Sequence, residues 1–157
     1  MKFRFNPELV KIDIDATNQK EAIEQLGSLL VEQGYVKEDY PNLVLEREQE
    51  YPTGLRTRGV NIAMPHAFDE RITSSHVAVG VLKKPVVFNN MEDTERSLSV
   101  QLLFMLAIGK AHEQLEMLQI LMKIFKEAEL LKELLEIKSS DLICKKLNDF
   151  IDESNYL

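Results

Sequence analysis

The sequence predicts a chain of α/β or α+β type, in which a sheet lies between helical layers. Three observations carry this. Apolar, strand-like runs cluster in the middle of the chain, helical periodicity dominates both flanks, and the composition is that of a packed globular protein. Apolar residues make up 45% and charged residues 29%, with six glycines and five prolines. At 157 residues the chain can close a real core but is short for two independent ones, so one domain over 1–157 is expected.

The first element is a short strand in ELVKIDID (8–15), which alternates imperfectly. In NQKE, Asn18 is placed to cap a helix with Glu21 three residues on; Ile23, Leu26, Leu29 and Leu30 share a face, and Gly34 stops it. A second helix is expected through DYPNLVLEREQE (39–50), with Asp39 as cap, Pro41 in the first turn, and Leu43 and Val44 inward. YPTGLRTRG (51–59) reads as a loop. Strands follow in VNIAM, HVAVGVL and LSVQLLFMLAIG, the last without alternation and therefore covered on both faces; PVVF (85–88) suggests a separate edge strand. Three helices close the chain: Leu115, Leu118, Leu121, Met122 and Phe125 form one face, Leu130, Leu131, Leu134 and Leu135 the next, and Ile143 to Ile151 the last, capped at Ser139 or Ser140.

No run is long enough for a signal h-region or a membrane span, and a single cysteine, Cys144, forbids an internal disulfide. A cytoplasmic chain with no direct membrane insertion is expected. The net charge of −7 is uneven, because residues 54–90 hold Arg56, Arg58, Arg71, Lys83 and Lys84 against Asp69 and Glu70. An acidic chain with a locally basic centre is a poor nucleic-acid binder and a reasonable host for a small anion. A chance fluctuation of surface charge explains the same pattern.

That centre contains NIAMPHAF (61–68), where an apolar run ends in Pro65–His66. Proline pushes Met64 toward extended backbone, so the strand should end there and His66 should emerge just past the sheet edge. An imidazole in that position can be a nucleophile toward phosphorus, a general base, a metal ligand, or merely a turn residue. His66, His76 and His112 show no zinc-binding spacing, and the patterns GxSxG, GxxxxGK[ST] and GxGxxG are all absent. No metal or cofactor is expected.

The run REQEYPTGL (47–55), then GVNIAMPH (59–66), then VQLLFMLAIG (100–109) followed by EQLEMLQILMKIF (113–125), resembles the IIA component of the sugar phosphotransferase system, fructose/mannitol class, galactitol-like branch. The resemblance spans residues 5 to 152. It implies a three-layer α/β/α sandwich around a mixed sheet, and a phosphoryl group taken by His66 from the phosphocarrier protein HPr. That group passes to a cysteine of a IIB component, which phosphorylates sugar entering through a membrane IIC component. It implies no nucleotide. Arg47 matches the family's Arg-Glu arginine and is the expected phosphate clamp, since a guanidinium offers paired donors and stays charged. Without the resemblance it reads as a surface charge at a helix end.

Two departures stand out. Many members carry a second histidine in an E-H-L stretch where this chain has E-Q-L, so Gln114 or the nearby His112 is the expected helper. The loop LRTRGVN is longer than in mannitol-like members and adds Arg56 and Arg58, either partner-reading or solvated, while Asn61 replaces a common glycine. Of the remaining candidates, His76 is expected to be structural or exposed, and Cys144 a half-buried helix thiol rather than a phosphocysteine. A regulatory module of the nitrogen-related kind is the alternative function. An interaction domain resembling the cytoplasmic part of anion exchangers is a more distant one.

Overall fold

The computed structural model describes residues 3–109 and 114–154. In chain order its elements are β1 (Val10–Ile14), α1 (Gln19–Glu32), α2 (Tyr40–Glu50), β2 (Gly54–Leu55), β3 (Ile62–Ala63), β4 (His66–Phe68), β5 (His76–Asn89), β6 (Ser97–Ile108), α3 (Gln114–Phe125), α4 (Ala128–Glu136) and α5 (Ser140–Ser154). The strands form one mixed sheet in the order β1-β5-β6-β3-β2, and β4 also pairs with β6. β1 runs parallel to β5, β3 and β4 run parallel to β6, and the β5–β6 and β2–β3 pairs are antiparallel.

Alternation along the central strands splits the core in two. Val77, Val79 and Val81 of β5, with Leu102, Phe104 and Leu106 of β6, pack against α3, α4 and α5. Ala78, Leu82, Leu103, Met105 and Ala107 face the other way, against α1 and α2. Leu102 to Ala107 are all buried, as expected of a strand covered on both faces. On the α1 side the layers meet closely at Gly80, where a Cβ would lie 2.8 Å from Ile14 Cδ1 and 3.2 Å from Leu26 Cδ2. In β1 the ladder slips between Lys11 and Ile14, and Asp13 takes a φ of 52°. This bulge turns Ile14 into the α1 layer although Val10, four residues earlier, faces the other core.

Several local expectations need correcting. Asp39 does not cap α2 with its side chain; its carboxylate receives Arg71 Nη2 at 2.7 Å instead. Leu43 is half-buried beside the fully buried Val44. Asn18 does cap α1, accepting from the Glu21 N–H at 2.9 Å, but the Glu21 carboxylate reaches back to the N–H and hydroxyl of Thr17. PVVF is no separate edge strand: it continues β5 past an irregularity between Val81 and Val86, pairing with Val100 to Leu98 of β6. The face of α3 is rotated, so that Met117, Leu121, Ile124 and Phe125 are buried while Leu115 and Met122 are exposed. Ser139 caps α5 through its Oγ, which accepts from the Leu142 N–H at 3.2 Å, and Ser140 donates to the Val10 carbonyl.

Candidate active site

The β3–β4 line shows why His66 stands where it does. β3 pairs with Leu102 and Leu103 of β6, the pairing lapses at Met64–Pro65, and β4 resumes it opposite Leu106 to Ile108. Proline has no N–H to give to a ladder, which accounts for the lapse. The expectation that His66 lies beyond the sheet is therefore corrected: it opens a further short strand, rigidly paired and half-buried. Its placement is reinforced by Tyr40 of α2, whose buried hydroxyl lies 2.6 Å from the Leu106 carbonyl and 2.8 Å from the Ala67 carbonyl, and accepts from the Ala67 N–H at 3.2 Å. Burial pushes the Tyr40 phenol up to about 12, so it stays protonated and keeps donating.

The ring of His66 is oriented by the backbone just before it. Nδ1 lies 2.7 Å from the Met64 carbonyl oxygen. A carbonyl can only accept, so Nδ1 carries the proton of the neutral ring and Nε2 keeps its lone pair. Burial holds the imidazole below its ordinary 6.5; the Met64 hydrogen bond opposes this, and the positive charge of Arg47 adds to the lowering. The neutral, nucleophilic form is thus the resting form near pH 7.

Arg47, in the last turn of α2, is close enough for its charge to act on the imidazole, and its guanidinium lies 4.7 Å from the centroid of the Tyr51 ring. Stacking there leaves the edge donors available to an anion. The next residue points inward. Glu48 is 3% exposed, and its two carboxylate oxygens accept from the N–H (2.7 Å) and hydroxyl (2.6 Å) of Thr53. Burial pushes this carboxyl up to about 7, against the lowering effect of the Thr53 bonds. Neither Glu48, Thr53 nor Tyr40 was picked out by sequence reasoning on chemical grounds, although Glu48 and Thr53 lie inside REQEYPTGL.

The other predicted residues fall as follows. Gln114 is the first residue of α3 and is half-buried, while His112 lies outside the described residues. Most of the basic centre does not converge on His66. Arg71 is bound to Asp69 and Asp39, and Lys83 and Lys84 occupy the exposed bend of β5. Arg56 and Arg58 line a groove of about 510 Å³ with Leu55, Met122, Phe125 and Lys126. This groove continues from β2 beyond the Ile62 end of β3, whereas His66 follows the Ala63 end. His76 is structural: its ring stacks on Tyr35 at 3.6 Å and its Nε2 lies 2.7 Å from Ser74 Oγ. Cys144 is more deeply buried than expected, 4% exposed, with Sγ against the Phe5 carbonyl and its thiol pushed up chiefly by burial. Among the described residues no group of His, Cys, Asp and Glu could hold a metal ion, and no helix is long and apolar enough to cross a membrane.

A neutral imidazole opening a strand anchored in the sheet, with a guanidinium beside it, is an arrangement suited to receiving and releasing a small anionic group. Comparison with known proteins agrees. The chain belongs to the EIIA 2 family of the phosphoenolpyruvate-dependent sugar phosphotransferase system, whose description matches residues 4–150. Members of this family are phosphotransferases that work through a phosphohistidine. The chain is 31% identical over 145 residues to a mannitol-specific phosphotransferase enzyme IIA component of Halalkalibacterium halodurans, covering 90% of this chain and 92% of that one. It is 24% identical over 135 residues to the galactitol-specific EIIA component of Escherichia coli K12, covering 85% and 88%. The solved structure of the mannitol IIA protein from Escherichia coli matches with a TM-score of 0.74 at 25% identity, covering 92% of this chain and 99% of that one. The three-layer sandwich with a mixed sheet is therefore the mannitol-type EIIA fold.

Proposed function

We propose that this chain is a one-domain cytoplasmic phosphoryl carrier in which Nε2 of His66 takes a phosphoryl group from the phosphohistidine of HPr. It then gives the group to a cysteine of a IIB component. The observation that carries this reading is the Nδ1 contact to the Met64 carbonyl, which reserves Nε2 as the nucleophile beside Arg47.

In the first step the Nε2 lone pair attacks phosphorus in line with the carrier's P–N bond. That bond breaks, and its electrons return to the carrier's imidazole. The ring of His66 then bears a phosphoryl group on Nε2 and a proton on Nδ1, and the positive charge of this species is stabilised by the Met64 carbonyl. In the second step a cysteine thiolate attacks phosphorus, the P–Nε2 bond breaks, and His66 returns to its neutral form. Arg47 neutralises charge on the equatorial oxygens in both steps. Exposed Phe68, on the same strand face as His66, and exposed Tyr51 offer apolar contact to the docking proteins. Gln114, the first residue of α3, and His112 are the candidates for a helper.

The transported sugar is proposed to be a hexitol, galactitol or mannitol, because relatives specific for each resemble the chain. Intact mass after incubation with phosphoenolpyruvate, enzyme I and HPr tests the carrier role. Wild type is expected to gain one acid-labile phosphoryl group and lose it on addition of a IIB protein, while His66→Ala gains none. A protein that takes up the group but passes it to no IIB partner would be a regulatory module instead.

A further inference from the structure

We propose that Glu48 and Thr53 are positioning residues that select the reactive nitrogen of His66, an inference that rests on the carrier reading above. The connection is a continuous chain of hydrogen bonds. Both Glu48 oxygens are occupied by Thr53, one by its N–H at 2.7 Å and one by its hydroxyl at 2.6 Å. When Glu48 is ionised that hydroxyl proton is committed to it, so Oγ1 presents a lone pair to its other neighbour, the Met64 N–H, at 3.1 Å; the Thr53 carbonyl lies 3.3 Å from the same N–H. The Met64 residue so held places its carbonyl 2.7 Å from His66 Nδ1. Between them Pro65 fixes one backbone angle, leaving little freedom in the link.

The path begins at a costly group. A carboxyl 3% exposed gives up hydration, and the contacts seen for it are two donors of one threonine rather than a cation. Stability alone would favour an apolar side chain in that place. The arrangement instead does something an apolar residue cannot: it sets which way the Thr53 hydroxyl points. A hydroxyl with its proton turned toward Met64 would oppose the Met64 N–H, tilt that residue, and free the His66 ring to take the other tautomer. The two neighbours on α2 therefore divide the work. Arg47 faces outward toward the incoming anion, and Glu48 faces inward toward the turn that holds the nucleophile.

The test uses full-length protein with ¹⁵N-labelled histidine, as wild type, Thr53→Val, Thr53→Ser and Glu48→Gln. Ring nitrogen shifts of His66 are read at a pH where the ring is neutral, alongside the single-turnover rate of phosphoryl acceptance from HPr. Wild type and Thr53→Ser are expected to show the Nδ1–H tautomer alone and to react at similar rates. Thr53→Val and Glu48→Gln, each keeping native circular dichroism, are expected to show mixed tautomers and acceptance slower by about tenfold or more. If Thr53→Val does not fold, Glu48→Gln decides. A folded Thr53→Val or Glu48→Gln with an unmixed Nδ1–H tautomer and the wild-type rate would overturn the proposal. If wild type accepts no phosphate yet the tautomers shift as described, the carrier reading fails while the positioning of the ring stands.

Discussion

A histidine that must accept a phosphoryl group at neutral pH needs an unprotonated nitrogen, and burial beside Arg47 supplies one at His66. Since protonation removes the Nε2 lone pair, lowering the pKa extends the reactive range toward acid. Phosphoryl acceptance by this protein should therefore stay on its plateau as pH falls to the ordinary histidine value of 6.5, and decline only below it. A pH–rate profile in single turnover, corrected for the donor's own titration, measures this; a midpoint at or above that value would contradict it. Arg47→Ala should slow acceptance on the order of 100-fold while leaving the melting temperature within a degree or two, since the side chain is exposed. Arg47→Lys should recover only part of the rate, because an ammonium lacks the paired donors. His66 could be singled out in the sequence because Pro65 ends an apolar run just before it, but the run alone fits a turn residue equally well, and its expected role came from the resemblance. Glu48 and Thr53 were not, because the Thr53–Met64 contact that links Glu48 to the turn before His66 exists only once β2 pairs with β3.

Elements behave differently from residues. The helices were readable from apolar residues at helical spacing, reinforced in α1 and α5 by the Asn18 and Ser139 caps, and β6 because six successive buried positions leave no solvent face. β4 was not, since HAF has no alternation of its own and becomes a strand only by lying along β6. PVVF was expected as a separate edge strand because the piece around it is turn-rich, but β6 is long enough to hold both halves of β5. Leu115 was assigned inward by periodicity, yet packing of Met117, Leu121 and Ile124 turns it out. These layers carry measurable consequences. Gly80→Val would drive methyl groups into Ile14 and Leu26 and should destabilise the protein by about 1–3 kcal/mol. Tyr40→Phe, which takes a hydroxyl from between β4 and β6, should cost about 1–3 kcal/mol. Urea unfolding reads both, and wild-type midpoints in both would mean that the sheet does not depend on these contacts.

Over the whole molecule, the architecture expected from the resemblance was borne out: a mixed sheet with α1 and α2 on one face and α3, α4 and α5 on the other. The basic centre was less informative, because a linear count cannot reveal that Arg71 is spent on Asp69 and Asp39. Global stability should report the buried carboxyl at Glu48. Its value rises from 4.5 to about 7 on folding, so the folded state holds a proton that the unfolded chain releases. Its contribution is complete below the lower value and is lost as pH rises through the upper one. Glu48→Gln, which cannot titrate, should show a shallower fall in stability across that window in urea titrations at several pH values. An unchanged slope would mean that Glu48 is ionised throughout.

The most direct measurement is an NMR experiment on ¹⁵N-histidine-labelled protein phosphorylated through HPr, reading the phosphorus–nitrogen coupling and assigning it to a ring atom. The expected result is a single coupled nitrogen, Nε2 of His66, with Nδ1 still protonated. Coupling at Nδ1 of His66, or at His76 or His112, would contradict the assignment of the nucleophile.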